Sequence, residues 1–295
     1  MMNGGKNDAR SLAMMILSML IFGSIGVFRR WIPLSSAFLA FSRGVLGGLF
    51  VLAFMKLTGK GGKERIPLRL FLRLAFTGAL IGVNWILLFE AYNHTTVAIA
   101  TLCYYMEPTI VVLLSPLVFE EKLTAKKAVC AAAAILGMVL VSSVLGGGSR
   151  SGDARGILFG LGAAALYSAV VILNKKTGGI NAYRKTAVQL LSAGTVMIPY
   201  LLLTGETGDG GFRAETVLLL LIVGIVHTGI AYALYFGSMD GLRVQSIAIL
   251  SYIDPVSALL FSAFFLKEPM NAAGIAGAVM IIGSAIMSEI LDRRE

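Results

Sequence analysis

The sequence predicts an all-α integral membrane protein: ten membrane-spanning helices, arranged as two inverted five-helix repeats. Three observations lead to this fold. Of the 295 residues, 57% are apolar and only 14% charged, with a mean hydropathy of +0.83. A soluble domain carries about 25% charged residues, so a chain this apolar needs lipid as its solvent. The apolar residues also gather into ten long stretches separated by short polar breaks. Finally, residues 97–121 recur at 244–268 with a constant offset of 147.

A spanning helix needs about 20 mostly apolar residues. The ten candidates lie near 12–29, 34–56, 70–92, 96–118, 127–146, 155–174, 183–204, 215–237, 244–266 and 271–290. The breaks carry turn and charge signals, such as Thr58 to Lys63, Glu120-Glu121-Lys122, Gly146 to Arg150 and Lys175 to Gly179. The first stretch follows Lys6 and Arg10 and resembles a signal peptide. It runs into Arg29, Arg30 and Trp31 rather than a small-residue cleavage site, so it reads as an uncleaved first helix. The gaps are shorter than 15 residues, so function is expected inside the bundle.

Orientation follows from the lysines and arginines. With the N-terminus cytoplasmic, 18 fall inside, 6 outside, and Arg43 within a helix. That bias places both termini in the cytoplasm of a multi-pass protein of the inner (cell) membrane. The same distribution explains the net charge of +9 without nucleic acid, because the basic residues sit in breaks rather than on one amphipathic face. Cys103 and Cys130 lie in or beside apolar stretches and form neither a disulfide framework nor a metal site. No Gly-x-x-x-x-Gly-Lys-Ser/Thr loop, His-Glu-x-x-His motif or nucleophile–base pair is legible. The chain therefore reads as neither an ATPase nor an enzyme, although a hydrogen-bonded serine–histidine pair in the bundle would reopen the hydrolase alternative. The expected partners are a small-molecule substrate and the lipid bilayer, with no cofactor, in a monomer or homodimer.

In the repeat, Val97 pairs with Val244, Tyr105 with Tyr252, Glu107-Pro108 with Asp254-Pro255, Ser115 with Ser262 and Glu121 with Glu268. The halves are then 1–148 and 149–295. Five helices per half is an odd number, so the second copy is inverted, as in alternating-access transporters with sites near the midplane. Here the sequence resembles the drug/metabolite transporter superfamily, in its EamA-like branch of ten-helix permeases. The residues carrying the resemblance are Asn84-Trp85 through Phe89 and Tyr92, Tyr105-Met106-Glu107-Pro108 leading to Phe119 through Thr124, and the echo from Tyr252 to Glu268. The resemblance implies the fold, the topology and secondary transport. Its members move amino acids, nucleotide precursors, choline-like amines, sugars and drugs, so it implies no single substrate.

Ionisable groups at membrane depth cost about 2.5–3.5 kcal/mol each on insertion scales and point to function. Arg43, Glu107, His227 and Asp254 fall near helix centres, and Glu90 lies nearer the outer end of its helix. Arg43 cannot shed its charge, so it needs an acidic partner or an anionic substrate group. Its counterpart in the other half is Gln189, at an offset of 146. Prolines 108 and 255 free the carbonyls of Tyr104 and Ser251, leaving a carboxylate and a bare carbonyl one turn apart in each half. The alternative is a kinked helix whose acid pairs with Arg43 or a tyrosine. The expected substrate-binding residues are Glu107, Asp254, Asn84, Trp85, Tyr232, Tyr104 and Arg43, with Glu107, His227 and Asp254 as proton-coupling candidates. One fixed cation against up to three acids favours zwitterionic or cationic amino compounds, such as amino acids or choline-like amines. Neutral nucleosides, sugars or drugs, and a channel-like or non-transporting role, are the alternatives. Glu121 and Glu268 read as caps for the fifth and tenth helices. Gly44/Gly48, Gly78/Gly82 and Gly156/Gly160 read as small-xxx-small packing motifs.

Overall fold

The computed structural model describes residues 4–61, 66–119, 124–142, 153–177, 180–205, 213–239, 250, 253–268 and 272–292. The helices are α1 Gly4–Trp31, α2 Ser36–Thr58, α3 Leu68–His94, α4 Val97–Tyr104, α5 Glu107–Phe119, α6 Ala125–Ser142 and α7 Asp153–Lys175. They continue with α8 Ala182–Thr195, α9 Ile198–Thr204, α10 Ala214–Leu221, a π-helical segment Ile222–Ile230, α11 Ala231–Met239, α12 Ile253–Phe265 and α13 Ala272–Asp292. Among the described residues, six segments are long and apolar enough to cross a membrane: Ala9–Trp31, Ser36–Thr58, Leu68–His94, Ala154–Asn174, Tyr183–Leu203 and Ala214–Tyr235. The other four expected stretches hold shorter apolar helices at Val97–Val111, Ala128–Gly137, Ile253–Phe265 and Ala272–Ser284. Leu203, Leu117 and Phe264 are 87%, 82% and 77% exposed. Large apolar side chains exposed this fully along apolar helices form the kind of outward apolar surface that faces lipid. The protein is a multi-pass membrane protein.

Helix starts follow the local chemistry. The hydroxyls of Ser35 and Thr96 accept the backbone N–H groups of Phe38 and Ile99 at 3.1 Å, capping α2 and α4. Asn181 caps α8 through Tyr183 N–H at 3.0 Å. Gly59 and Gly205 end α2 and α9 in the left-handed region, at φ 69° and 65°, where a Cβ is unfavourable. The fourth expected span is broken: α4 stops at Tyr104 and α5 starts at Glu107, as Pro108 requires. Span seven breaks as well, at Val196–Met197, where Pro199 opens α9. The π-helical turn in span eight has no sequence signal. Tyr252, Ser251, Glu121 and Asn271 lie outside the described residues.

The largest interfaces are α6 with α13, α3 with α7 and α8, α2 with α8 and the π segment, and α1 with α11 and α12. Glycines set their closeness. A Cβ on Gly44 would stand 2.6 Å from Gly194 N and 2.8 Å from Leu190 O on α8. Gly48 meets Leu191, Gly82 faces Ala193 O, and Gly160 faces Cys103 Cβ and Ala100 O. All three small-xxx-small motifs therefore mark close contacts between the first and second halves of the chain. Gly44→Ala should cost about 1–3 kcal/mol through overpacking, because backbone on α8 cannot step aside. Gly283→Ala meets nothing within 4 Å and should be neutral or slightly stabilising. Melting temperatures in one detergent check the pair.

Candidate functional site

Arg43 sits mid-way along α2 and is 5% exposed. Its Nε donates to Thr228 Oγ1 on the π segment at 3.1 Å, and Thr228 Oγ1 donates to the Val223 carbonyl at 3.1 Å. Gly47 lies directly against the Thr228 side chain, so the absence of a Cβ there lets the π segment reach Arg43. The guanidinium carbon lies 4.0 Å from the Trp85 ring centroid and 5.5 Å from that of Phe89. A desolvated cation–π contact is worth about 2 kcal/mol, less than the several kcal/mol that burying an ion costs. Among the described residues, no carboxylate lies within ion-pair distance of Arg43, and its two terminal nitrogens make no hydrogen bond. The acidic partner considered from the sequence is therefore not there. Arg43 is held by a hydroxyl and an aromatic face.

Glu107 opens α5 and Asp254 is the second residue of α12, so both carboxylates sit at helix N-termini, where the helix dipole favours negative charge. Tyr105, in the break before α5, lies close to Asp254 and acts on its carboxylate electrostatically. Ser168 Oγ lies 3.1 Å from the Glu107 carbonyl and 2.8 Å from that of Ala164, tying the break to α7. Tyrosines stand near both the acids and the cation. Tyr104 packs on Tyr167 at 5.6 Å and interacts electrostatically with Glu107, Asp254 and Tyr232. Tyr232 in turn interacts with both Arg43 and Asp254. The structure thus brings Arg43, Trp85, Tyr232, Tyr104, Glu107 and Asp254 into one neighbourhood. Asn84 points elsewhere, since successive helical residues turn by about 100°. Its Nδ2 donates to the Ala163 carbonyl on α7 at 2.5 Å, and its buried Oδ1 has no partner.

His227 also lies on the π segment, buried against Phe28 at 4.6 Å between ring centroids. Its Nε2 is 2.9 Å from Ser24 Oγ, and its Nδ1 is 3.4 Å from the Ile222 carbonyl. A serine–histidine pair does exist in the bundle. It lacks the carboxylate that orients a catalytic imidazole, because Nδ1 faces a carbonyl, and Ser24 is also within 2.8 Å of the Ile21 carbonyl. Glu90, counted from sequence among the interior acids, belongs to a polar cluster at the end of α3. Asn93 Nδ2 donates to it at 3.2 Å and His94 Nε2 stands 3.8 Å away. His94 itself closes α3 and stacks on Phe159 at 5.4 Å, so it is not a free loop residue. Arg29 is 6% exposed and donates to the Ile32 carbonyl and Ser36 Oγ, pinning the α1–α2 turn.

Glu268 is a correction. Instead of capping the tenth helix, it reaches across the bundle to accept Val97 N–H at 2.9 Å, the first amide of α4. It also accepts the Ser262 hydroxyl and pairs with Arg30 at 3.2 Å. Lys267, at φ 54°, is the non-glycine residue in the left-handed region that turns the chain to present it. Thr228 and Ser24 were the contacts missed in the sequence. A hydroxyl in an apolar run carries no signal of its partner.

The sequence model of the EamA-like transporter family matches residues 9–143 and again residues 154–289. The chain belongs to that family. Among curated relatives of this EamA-like transporter family member, an uncharacterized transporter, YxxF of Bacillus subtilis, is 29% identical over 98% of this chain and 92% of its own length. Protein PecM of Dickeya dadantii is 28% identical over 77% of this chain and 76% of its own. Protein RarD of Salmonella typhi is 24% identical over 70% and 68%. A solved crystal structure covers 97% of the chain and 98% of its own, with a TM-score of 0.65 and 20% identity, and shares the fold. The unpaired Arg43 of this EamA family member generates a stability prediction. Removing one partner of a buried ion pair costs about 3–5 kcal/mol. Arg43→Gln removes a buried charge that has no acid, so the melting temperature of ligand-free protein should hold or rise.

Proposed function

We propose that the protein is a secondary transporter of small zwitterionic amino-containing metabolites, with amino acids as the leading class, working by alternating access between two inverted halves, 1–148 and 149–295. The observation that carries the substrate class is Arg43, a fixed cation whose terminal nitrogens are unpaired among the described residues, in one tyrosine-rich neighbourhood with Glu107 and Asp254. A carboxylate matches the guanidinium fork, and an ammonium group matches the acids and the tyrosine faces. A purely cationic substrate leaves Arg43 unneutralised. A neutral one leaves both ends so.

Several features support the inverted-repeat reading. The family match occurs twice, once per half. Exchanging the halves turns the packing of α1 on α11 and α12 into that of α7 on α3 and α5, and turns α2 on the π segment into α8 on α3. The α2–α8 and α6–α13 contacts map onto themselves. Glu107 and Asp254, at the repeat offset, each stand in the first turn of a helix. At the position equivalent to Arg43, Gln189 donates to Asn174 Oδ1 at 2.7 Å. The second half satisfies its neutral donor internally, whereas the first half leaves a cation open.

The test is a thermal-shift panel of purified protein with L-amino acids, amines, nucleosides and sugars. Amino acids should give the largest stabilisation, and Arg43→Gln should remove it. Glu107→Gln keeps the size of the side chain and removes its charge. A lost charge-assisted contact of about 1.5–3 kcal/mol weakens affinity roughly 10- to 150-fold. Unchanged binding and transport in Glu107→Gln would place the ammonium site elsewhere.

We also propose inner-membrane insertion with both termini and the 56–69 loop cytoplasmic, from the 18-to-6 distribution of basic residues. A cysteine placed at Gly61 should resist an impermeant thiol reagent in intact cells and react after permeabilisation. Labelling before permeabilisation reverses the topology.

A further inference from the structure

We propose that His227, Ser24 and the Ile222 carbonyl form a proton-binding site that loads together with the substrate carboxylate, which makes this transporter a proton symporter. The proposal rests on the zwitterion reading above. Proton counting carries it.

Three contacts run through this cluster: Ser24 Oγ to the Ile21 carbonyl at 2.8 Å, Ser24 Oγ to His227 Nε2 at 2.9 Å, and His227 Nδ1 to the Ile222 carbonyl at 3.4 Å. A carbonyl only accepts. The two outer contacts therefore each need a proton from the serine–histidine pair, and the central one needs a proton from either side. A hydroxyl supplies one proton and a neutral imidazole one. Three hydrogen bonds need three. The neutral cluster is one proton short, and an imidazolium completes it, with Nδ1–H donating to Ile222, Nε2–H to Ser24 and Ser24 O–H to Ile21. The 3.4 Å contact, the longest of the three, is the one left unfilled when the imidazole carries its proton on Nε2. The added proton comes from water entering the cavity and lands on Nδ1, with no other bond made or broken.

The charge around this site ties it to the substrate. Arg43 on α2 is the charged group that acts on the imidazole. From α1 the ring faces Ser24 and Phe28, and among the described residues α10 and α11 present no charged group that acts on it. Thr228, the residue after His227, is the anchor of Arg43. With Arg43 unneutralised, a proton on His227 puts a second cation beside the first. A carboxylate bound on Arg43 removes that repulsion, so the substrate favours the proton. By reciprocity the proton favours the substrate. Loading both together is the sign of symport. Displacement of a proton from Glu107 or Asp254 by an incoming ammonium has the opposite sign and would produce exchange.

The experiment uses the full-length protein in detergent, weakly buffered near neutral pH with an indicator dye. A mixture of common L-amino acids, adjusted to the same pH, is the probe, and thermal stabilisation is recorded in parallel. The expected result is stabilisation with uptake of up to about one proton per protein, the number the cluster lacks. His227→Gln should abolish the uptake while keeping the stabilisation, and Ser24→Ala, a milder change, should reduce it. The chain has two histidines, and His94→Gln should leave the uptake intact. Stabilisation without proton uptake, with proton release, or with uptake that survives both His227→Gln and Ser24→Ala overturns the symport site and leaves the zwitterion reading standing. An absence of any stabilisation by amino acids overturns both.

Discussion

A guanidinium that cannot lose its charge is buried in the middle of this protein with no acid paired to it among the described residues, and much of the surrounding structure is arranged around that fact. Arginine stays protonated in any protein environment, and an ion of this kind pays a heavy desolvation penalty in a membrane interior. Among the described residues its compensation is one hydroxyl, from Thr228, and the face of Trp85 with Phe89 beyond it. Gly47 brings Thr228 within reach, and Gly44 and Gly48 draw α8 against the same helix. Tyr104 and Tyr232 stand near Arg43 and near the acids, and among the described residues Arg43 makes no ion pair with either acid. An internal pair would satisfy the protein. Under the zwitterion proposal, a separated one leaves both ends for a ligand carrying both charges.

Two of the backbone irregularities, the α4–α5 break and the π segment, fall in the same region. Irregular backbone is tolerated at membrane depth only where protein or a wet cavity surrounds it. The α4–α5 break delivers Tyr105 and Glu107, and the start of α12 delivers Asp254. The π segment delivers His227 and Thr228, whose side chains both reach carbonyls five residues back. Such wide turns recur at functional sites. Here one wide turn holds both the anchor of the cation and the imidazole cluster, so a change in charge at either is felt at the other.

Much of this was legible in the sequence, for physical reasons. Apolar run length placed the six helices long enough to cross a membrane, because membrane thickness sets it. The glycine pairs marked close contacts, since close approach excludes a Cβ. Arg43, Glu107 and Asp254 stood out because charge is rare at membrane depth, and Pro108 placed the α4–α5 break. Other features carried no such signal. Thr228 and Ser24 are small hydroxyl residues in apolar runs, and their partners lie 185 and 203 residues away. The role of Glu268 depends on a left-handed Lys267 and on a helix start in the other half, so its local capping pattern misled. Glu90 passed for an interior acid because depth was judged from span limits, while its partners Asn93 and His94 end the helix beside it. Tertiary contact, which periodicity does not encode, decided each of these.

The central claim is that Arg43 stands without an acid because the substrate carboxylate takes that place. The most direct measurement is a binding cycle by calorimetry, with the amino acid that stabilises the protein most and its C-terminal amide, each against the unaltered protein and Arg43→Gln. The account predicts that amidation and Arg43→Gln each cost roughly 10- to 150-fold, the worth of a charge-assisted contact, and that together they cost little more than either alone. An amide that binds as tightly as the acid, or two losses that simply multiply, would contradict it.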